Sequence, residues 1–277
     1  MHMKWISILF LFSTNVFALP NTKIEFCNRI NQKTSIQESA LDTNNLMSFK
    51  NDGGLFNGGV CWWHSRFQRN AFYLLKINPQ GIKPTPNEIK ELIKRIRNSN
   101  EVLTLNGYQN FNEFTKAHQN EIQKELNAWQ LYDGVVLGGW IDGIKGDIKI
   151  PANELEQKMH ELYQYVDQQK KIAYQKLQIK GITSHAWLVT NIIKTESGYD
   201  IGYLDSNDPM RLNLYRYKIG DESFNIKGYG NFVPYLEFKR EEDKLNQVAQ
   251  NYCNKAFVVT FDEADYQDDL YEFEHNL

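Results

Sequence analysis

Apolar residues return every three or four positions through the first two thirds of the chain, and at closer, strand-like spacing in the last third. A period near 3.6 marks one buried face of a helix; alternation or a short apolar run marks a strand. From Cys61 to about Leu75 there is no Gly or Pro, and Trp62, Phe67, Ala71, Leu74 and Leu75 make a helical stripe. Thr85-Pro86-Asn87-Glu88 has the form of a helix start: a hydroxyl cap, a proline at the first helical position and a Glu three residues past the cap. Ile89, Leu92, Ile93 and Ile96 follow at helical spacing. Phe111, Phe114, His118, Ile122, Leu126 and Trp129 predict another helix, ended by Gly134. After Pro151, the residues Leu155, Met159, Leu162, Val166, Ala173 and Leu177 predict one long helix. Residues 19–50 are polar and irregular, with no predicted element. Val135–Ile150 is rich in glycine and poor in pattern, and the Asn-Asp-Gly-Gly at 51–54 and Asn-Gly-Gly at 57–59 are loop signals.

The period changes near His185. Trp187, Leu188, Val189, Ile192 and Ile193 form a β-rich run, Glu196-Ser197-Gly198 signals a turn, and Ile201 to Asp205 reads as the returning strand. Leu212 to Tyr217 alternates, Phe232 to Phe238 is a further strand, Glu241 to Tyr252 is helical, and Phe257 to Phe261 is a late strand. This order predicts an α+β unit over residues 19–261. A mainly helical lobe (19–180) precedes a mainly β, antiparallel lobe (181–261), and a solvated acidic tail (262–277) follows.

Composition changes this picture little. The 277 residues carry a formal charge of −3, which offers no basic footprint for nucleic acid. Aromatic residues (15 Tyr, 16 Phe, 6 Trp) are numerous enough for a sizeable core. The start of the chain matters more. Lys4, the apolar stretch Trp5 to Phe12 and the small residues of Val16-Phe17-Ala18 predict a signal peptide cleaved after Ala18, hence a secreted or periplasmic protein. The stretch is too short for a spanning helix, and no later segment is apolar enough for stable membrane insertion.

Export changes the meaning of the three cysteines. An odd thiol in an oxidising compartment is exposed to oxidation and mispairing. The simplest partition is a Cys27–Cys253 disulfide with Cys61 free; the alternative is three buried, unpaired cysteines.

Cys61 follows Asn57-Gly58-Gly59-Val60 and opens a predicted helix. A helix N-terminus favours the thiolate, which is the nucleophilic form. His185 begins a stiff β run, where an imidazole base is well held. Asp205 ends the returning strand, so a hairpin brings it beside His185 as its orienter; Asn207 and Asp208 are rivals for that place. His64 lies on the helix of Cys61 and is poorly aimed as a base. His118 and His160 lie in amphipathic helices as surface or packing residues. The backbone N–H of Cys61 and the side chain of Asn57 are candidate oxyanion donors, unless Asn57 serves only its Asn-Gly turn. Trp62, Trp63 and Trp187 either wall a substrate cleft or pack in the core. There is no His-Glu-x-x-His, no Cys-x-x-Cys and no phosphate loop, so neither a metal nor a cofactor is expected.

Gly-Val-Cys-Trp opening a helix, a distant Ser-His-Ala, and a strand ending in Leu-Asp-Ser-Asn together resemble the papain-like cysteine peptidases, in the order Cys61, His185, Asp205. The resemblance implies a helical lobe carrying the Cys helix and a β lobe carrying His and Asp. It also implies hydrolysis of peptide or isopeptide bonds in a protein or peptide substrate through an acyl-enzyme. The chain differs from papain in having Asp205 for its Asn, and Leu55 where the oxyanion Gln stands; no prosegment is expected before residue 51. His185-Ala186-Trp187 followed by Leu204-Asp205 is also similar to the transglutaminase-like family, which implies acyl transfer or amide cleavage by the same three residues. The non-enzymatic alternative is a secreted binding or inhibitory protein with structural cysteines.

Overall fold

The structure, a computed structural model, describes residues 18–54, 59–133, 148–178, 184–226, 230–234 and 239–255. Its first half is helical. Helices α1 (Lys23–Asn31), α2 (Ser35–Ser39), α3 (Cys61–Leu74), α4 (Pro86–Asn98), α5 (Phe111–Ala117) and α6 (Gln119–Leu131) are joined by a small parallel pair, β1 (Leu75–Asn78) and β2 (Leu103–Asn106). The expected cap of α4 forms: Glu88 N–H donates to the Thr85 hydroxyl, and the Glu88 carboxylate accepts from Thr85 N–H. Thr22 and Glu25 build the same box at the start of α1. Residues 19–50 are therefore not without elements, and their signal was the same Thr-x-x-Glu spacing.

The second half is a sheet. After α7 (Ala152–Tyr163) come β3 (Ala173–Gln178), β4 (Ser184–Lys194), β5 (Gly198–Asp205), β6 (Asp208–Lys218), β7 (Phe224–Ile226) and β8 (Gly230–Pro234). They pair antiparallel in the order β6-β5-β4-β3-β8-β7. The chain then returns to the helical half as α8 (Lys239–Asn254). The fold class is α+β, as the pattern predicts.

Two predicted helices are corrected. The one expected after Pro151 stops at Tyr163, continues for five residues as a π turn, and gives way to β3 after Lys170, whose φ is 57°. Ala173 and Leu177 are strand residues: a spacing of four suits one face of a strand as well as of a helix. The helix over 111–129 breaks at His118, whose backbone is not helical and whose ring bonds the Tyr108 hydroxyl at 2.5 Å. The strand expected over Phe232–Phe238 runs through Pro234. The late strand Phe257–Phe261, the acidic tail, the signal peptide up to residue 17 and most of the glycine-rich stretch lie outside the described residues.

The central strands of the sheet are buried on both faces, while the edge strand β6 is largely exposed. Tyr174, Ala186, Leu188 and Leu204 face the helical half, while Leu177, Trp187, Val189 and Tyr203 join a second core with Leu155, Met159 and Leu162 of α7. Side chains that alternate across a strand produce this division. Cys27 of α1 and Cys253 of α8 form a disulfide, with 5.5 Å between their Cα atoms, and Cys61 takes no part in a disulfide.

Candidate active site

Cys61 is the first residue of α3, with Val60 at the cap position. The preceding glycine, Gly59, has φ of 82°, a conformation that L side chains rarely adopt. Negative charge on a group in the first turn of a helix is favoured by the macrodipole. Cys61 is buried, with 8% of its surface exposed.

The hairpin of β4 and β5 supplies the rest. Trp187 stands directly opposite Asp205. His185, two residues before Trp187, points to the same face and sits diagonally from Asp205, within reach of its carboxylate. His185 Nε2 lies 2.8 Å from Asp205 Oδ1. Trp187 Nε1–H donates to Oδ2 at 3.2 Å, and Asn207 N–H donates to Oδ1 at 2.8 Å. The other side of the imidazole hydrogen-bonds Cys61. With Nε2 held by Asp205, Nδ1 is the nitrogen that faces the sulfur. The structure thus brings Cys61, His185 and Asp205 into one line, from a helix start to a strand end.

The electrostatics follow from these contacts. Burial lowers the proton affinity of His185, but hydrogen bonds to Asp205 and Cys61, and the negative charge on both, outweigh it and raise the imidazole to about 10. Burial raises the Asp205 carboxyl, and the bonds from His185, Asn207 and Trp187 overcome this and hold it below its ordinary value. The carboxylate is stabilised as an anion and the imidazole as a cation.

The other described histidines stand elsewhere. His64 is buried against the carbonyl of Phe49 at 2.9 Å, and desolvation pushes it down to about 4, so it is neutral. His160 bonds Gln164 on the surface of α7. Asn207 donates its N–H to Asp205 and accepts at Oδ1 from Asn51, and Asp208 pairs with Arg211 at 2.6 Å. Asn57 lies outside the described residues. Trp62, Trp63 and Trp187 are all buried. Trp62 donates to the carbonyl of His185 at 3.1 Å, so α3 holds the strand that carries the imidazole. Trp63 donates to Asp133 at 3.1 Å. Trp187 stacks on Tyr203 with centroids 3.8 Å apart. Its indole supports Asp205 from within the second core, a role that its place in the sequence does not reveal.

The chain matches no family model, no curated protein and no solved structure. Its chemistry must be read from the site. A thiol, an imidazole and a carboxylate in hydrogen-bonded series are the parts of a nucleophile, a base that is also an acid, and an orienter. Among the described residues no group of three or more His, Cys, Asp or Glu side chains is arranged to hold a metal ion.

Proposed function

We propose that the protein is a secreted or periplasmic cysteine peptidase of papain-like type, hydrolysing peptide or isopeptide bonds. The observation that carries this reading is the series Cys61–His185–Asp205, assembled from a helix start and the facing sheet. The helical half with the Cys helix and the antiparallel half with His and Asp support a papain-like fold. The disulfide is compatible with an oxidising compartment. Among the described residues no helix is long and apolar enough to cross a membrane.

In the mechanism, the Cys61 sulfur attacks the scissile carbonyl carbon, forming a C–S bond and an oxyanion. The C–N bond then breaks, and His185 gives its Nδ1 proton to the departing amine. Its tight hold on that proton keeps the donor charged at neutral pH. Neutral His185 next takes a proton from water as the water oxygen attacks the thioester. The C–S bond breaks, releasing a carboxylic acid, and the thiolate–imidazolium pair is restored. Asp205 stays ionised throughout and holds the ring.

The test is labelling of the mature protein with iodoacetamide and peptide mapping, together with turnover of a cleaved substrate. Cys61 is the residue expected to be modified, and Cys61→Ala is expected to lose turnover by many orders of magnitude with its circular dichroism unchanged. A Cys61→Ala protein that keeps most of its turnover would sink the reading.

A further inference from the structure

The Cys–His–Asp series is part of a closed ring. Asn51 Nδ2 donates to Asn207 Oδ1 at 2.6 Å, and Asn51 N–H donates to the carbonyl of Ser206 at 2.7 Å. Asn51 Oδ1 accepts from the N–H of Val60, the residue before Cys61. Asn207 N–H in turn donates to the same Asp205 oxygen that receives His185. Starting from the sulfur, the path runs Cys61, His185, Asp205, Asn207, Asn51, Val60, and returns to Cys61 through one peptide bond. Five of its six links are hydrogen bonds, and they tie the helical half to the two-residue turn between β5 and β6.

Gly59 shows how closely the ring is fitted. A Cβ there would stand 2.5 Å from Asn51 Oδ1, so a side chain at 59 would displace the amide. Gln130 Nε2 donates to the Gly59 carbonyl, and Gly59 N–H donates to the carbonyl of Gly53, at 2.9 Å each.

We infer that Asn51 is a positioning residue for the Cys61–His185 pair, setting the start of the nucleophile's helix against the turn that follows Asp205. The inference rests on the function proposed above. A hydrogen-bonded pair carried by two separate elements keeps its length only if the elements keep their distance. Misplacement of about 1 Å in such a pair can cost 10²-fold in rate. An amide is suited to position 51 because it must accept from Val60 and donate to Asn207 at once, which neither a carboxylate nor an aliphatic side chain does.

The experiment compares the rate of Cys61 alkylation by iodoacetamide at pH 6 with that at pH 9, in the full mature chain. Iodoacetamide reads the thiolate without needing a substrate. Asn51→Leu, of similar size and without polar atoms, is expected to lower the pH 6 rate at least about tenfold and to change the pH 9 rate little, as expected when a thiol loses its imidazolium partner. His185→Ala is the reference. If His185→Ala keeps the wild-type ratio, the Cys–His pair itself is absent and the proposed function falls. If His185→Ala changes the ratio while a folded, disulfide-bonded Asn51→Leu does not, the inference about Asn51 is overturned and the function stands. Should Asn51→Leu fail to fold, Asn207→Ala cuts the ring at the turn; the same loss at pH 6 supports the inference, and an unchanged ratio overturns it.

Discussion

Asp205 receives three donors on two oxygens, and this decides what an amide would do in its place. In Asp205→Asn the retained oxygen can still serve His185 and Asn207, which leaves the new NH2 group facing the Trp187 N–H. A buried donor set against a donor costs about 1–3 kcal/mol. The imidazole nevertheless keeps an acceptor, whereas His185→Ala removes the group that moves protons in the proposed mechanism. Steady-state kinetics should therefore show a far smaller loss of turnover for Asp205→Asn than for His185→Ala; equal losses would give Asp205 a different role. The same contacts set a pH dependence. Folded His185 holds its proton up to about 10, against 6.5 for an unperturbed imidazole. It therefore contributes stability that is complete below about 6.5 and is lost as pH rises through about 10. Urea midpoints should fall across that interval, and less so in Cys61→Ala, which lacks one of the two anions that raise the imidazole.

At the scale of elements, α3 is buried on every side, with only Arg66 partly exposed. Such a helix must find partners for its polar side chains inside the protein. Arg69 reaches Glu241 of α8 at 2.7 Å, and the Tyr73 hydroxyl donates to Glu242 of α8 at 2.5 Å. The two neighbouring carboxyls shift oppositely. Burial raises Glu241, but the charges of Arg69 and Arg66 bring it down to about 2. Burial raises Glu242, and the bonds from its tyrosines and the charges of Lys171 and Arg69 do not overcome it. Glu242 thus depends on its donors. Tyr73→Phe removes one of them without changing the packing of the ring, and is expected to cost about 1–3 kcal/mol. Chemical denaturation at neutral pH would check this; no change in midpoint would mean that α8 does not brace the helix of Cys61 through Glu242.

Across the whole molecule, α8 closes the chain onto its beginning. The bond between Cys27 and Cys253 spans 226 residues of sequence, and Lys23 Nζ caps the end of the same helix at the carbonyl of Lys255 with 3.0 Å. A cross-link over so long a loop restricts the unfolded chain strongly. Cys253→Ser is expected to cost about 2–5 kcal/mol, toward the low end because two cores already hold the fold. Thermal melting of the variant beside the wild type would measure it, and coincident curves would deny the bridge any stabilising role.

Local signals legible in the sequence are those that one element settles by itself. The capping box at Thr85, the glycine-led helix at Cys61 and the hairpin that returns Asp205 to His185 depend on backbone chemistry within a few residues, and the structure contains all three. The Cys27–Cys253 bond is the simplest partition of three thiols, but their number does not say which two pair, and the packing of α8 on α1 decides it. Only the tertiary structure could make Ala173 and Leu177 strand residues, since a spacing of four fits either period until a partner strand is present. Only it could send Trp187 to the second core behind Asp205, since alternation gives two faces and does not say what covers each. Asn51 is the clearest case. In the sequence it is one polar residue of a loop, and its meaning comes from Val60 nine residues on and Asn207 far downstream, which meet it only when the helical half and the sheet have packed together.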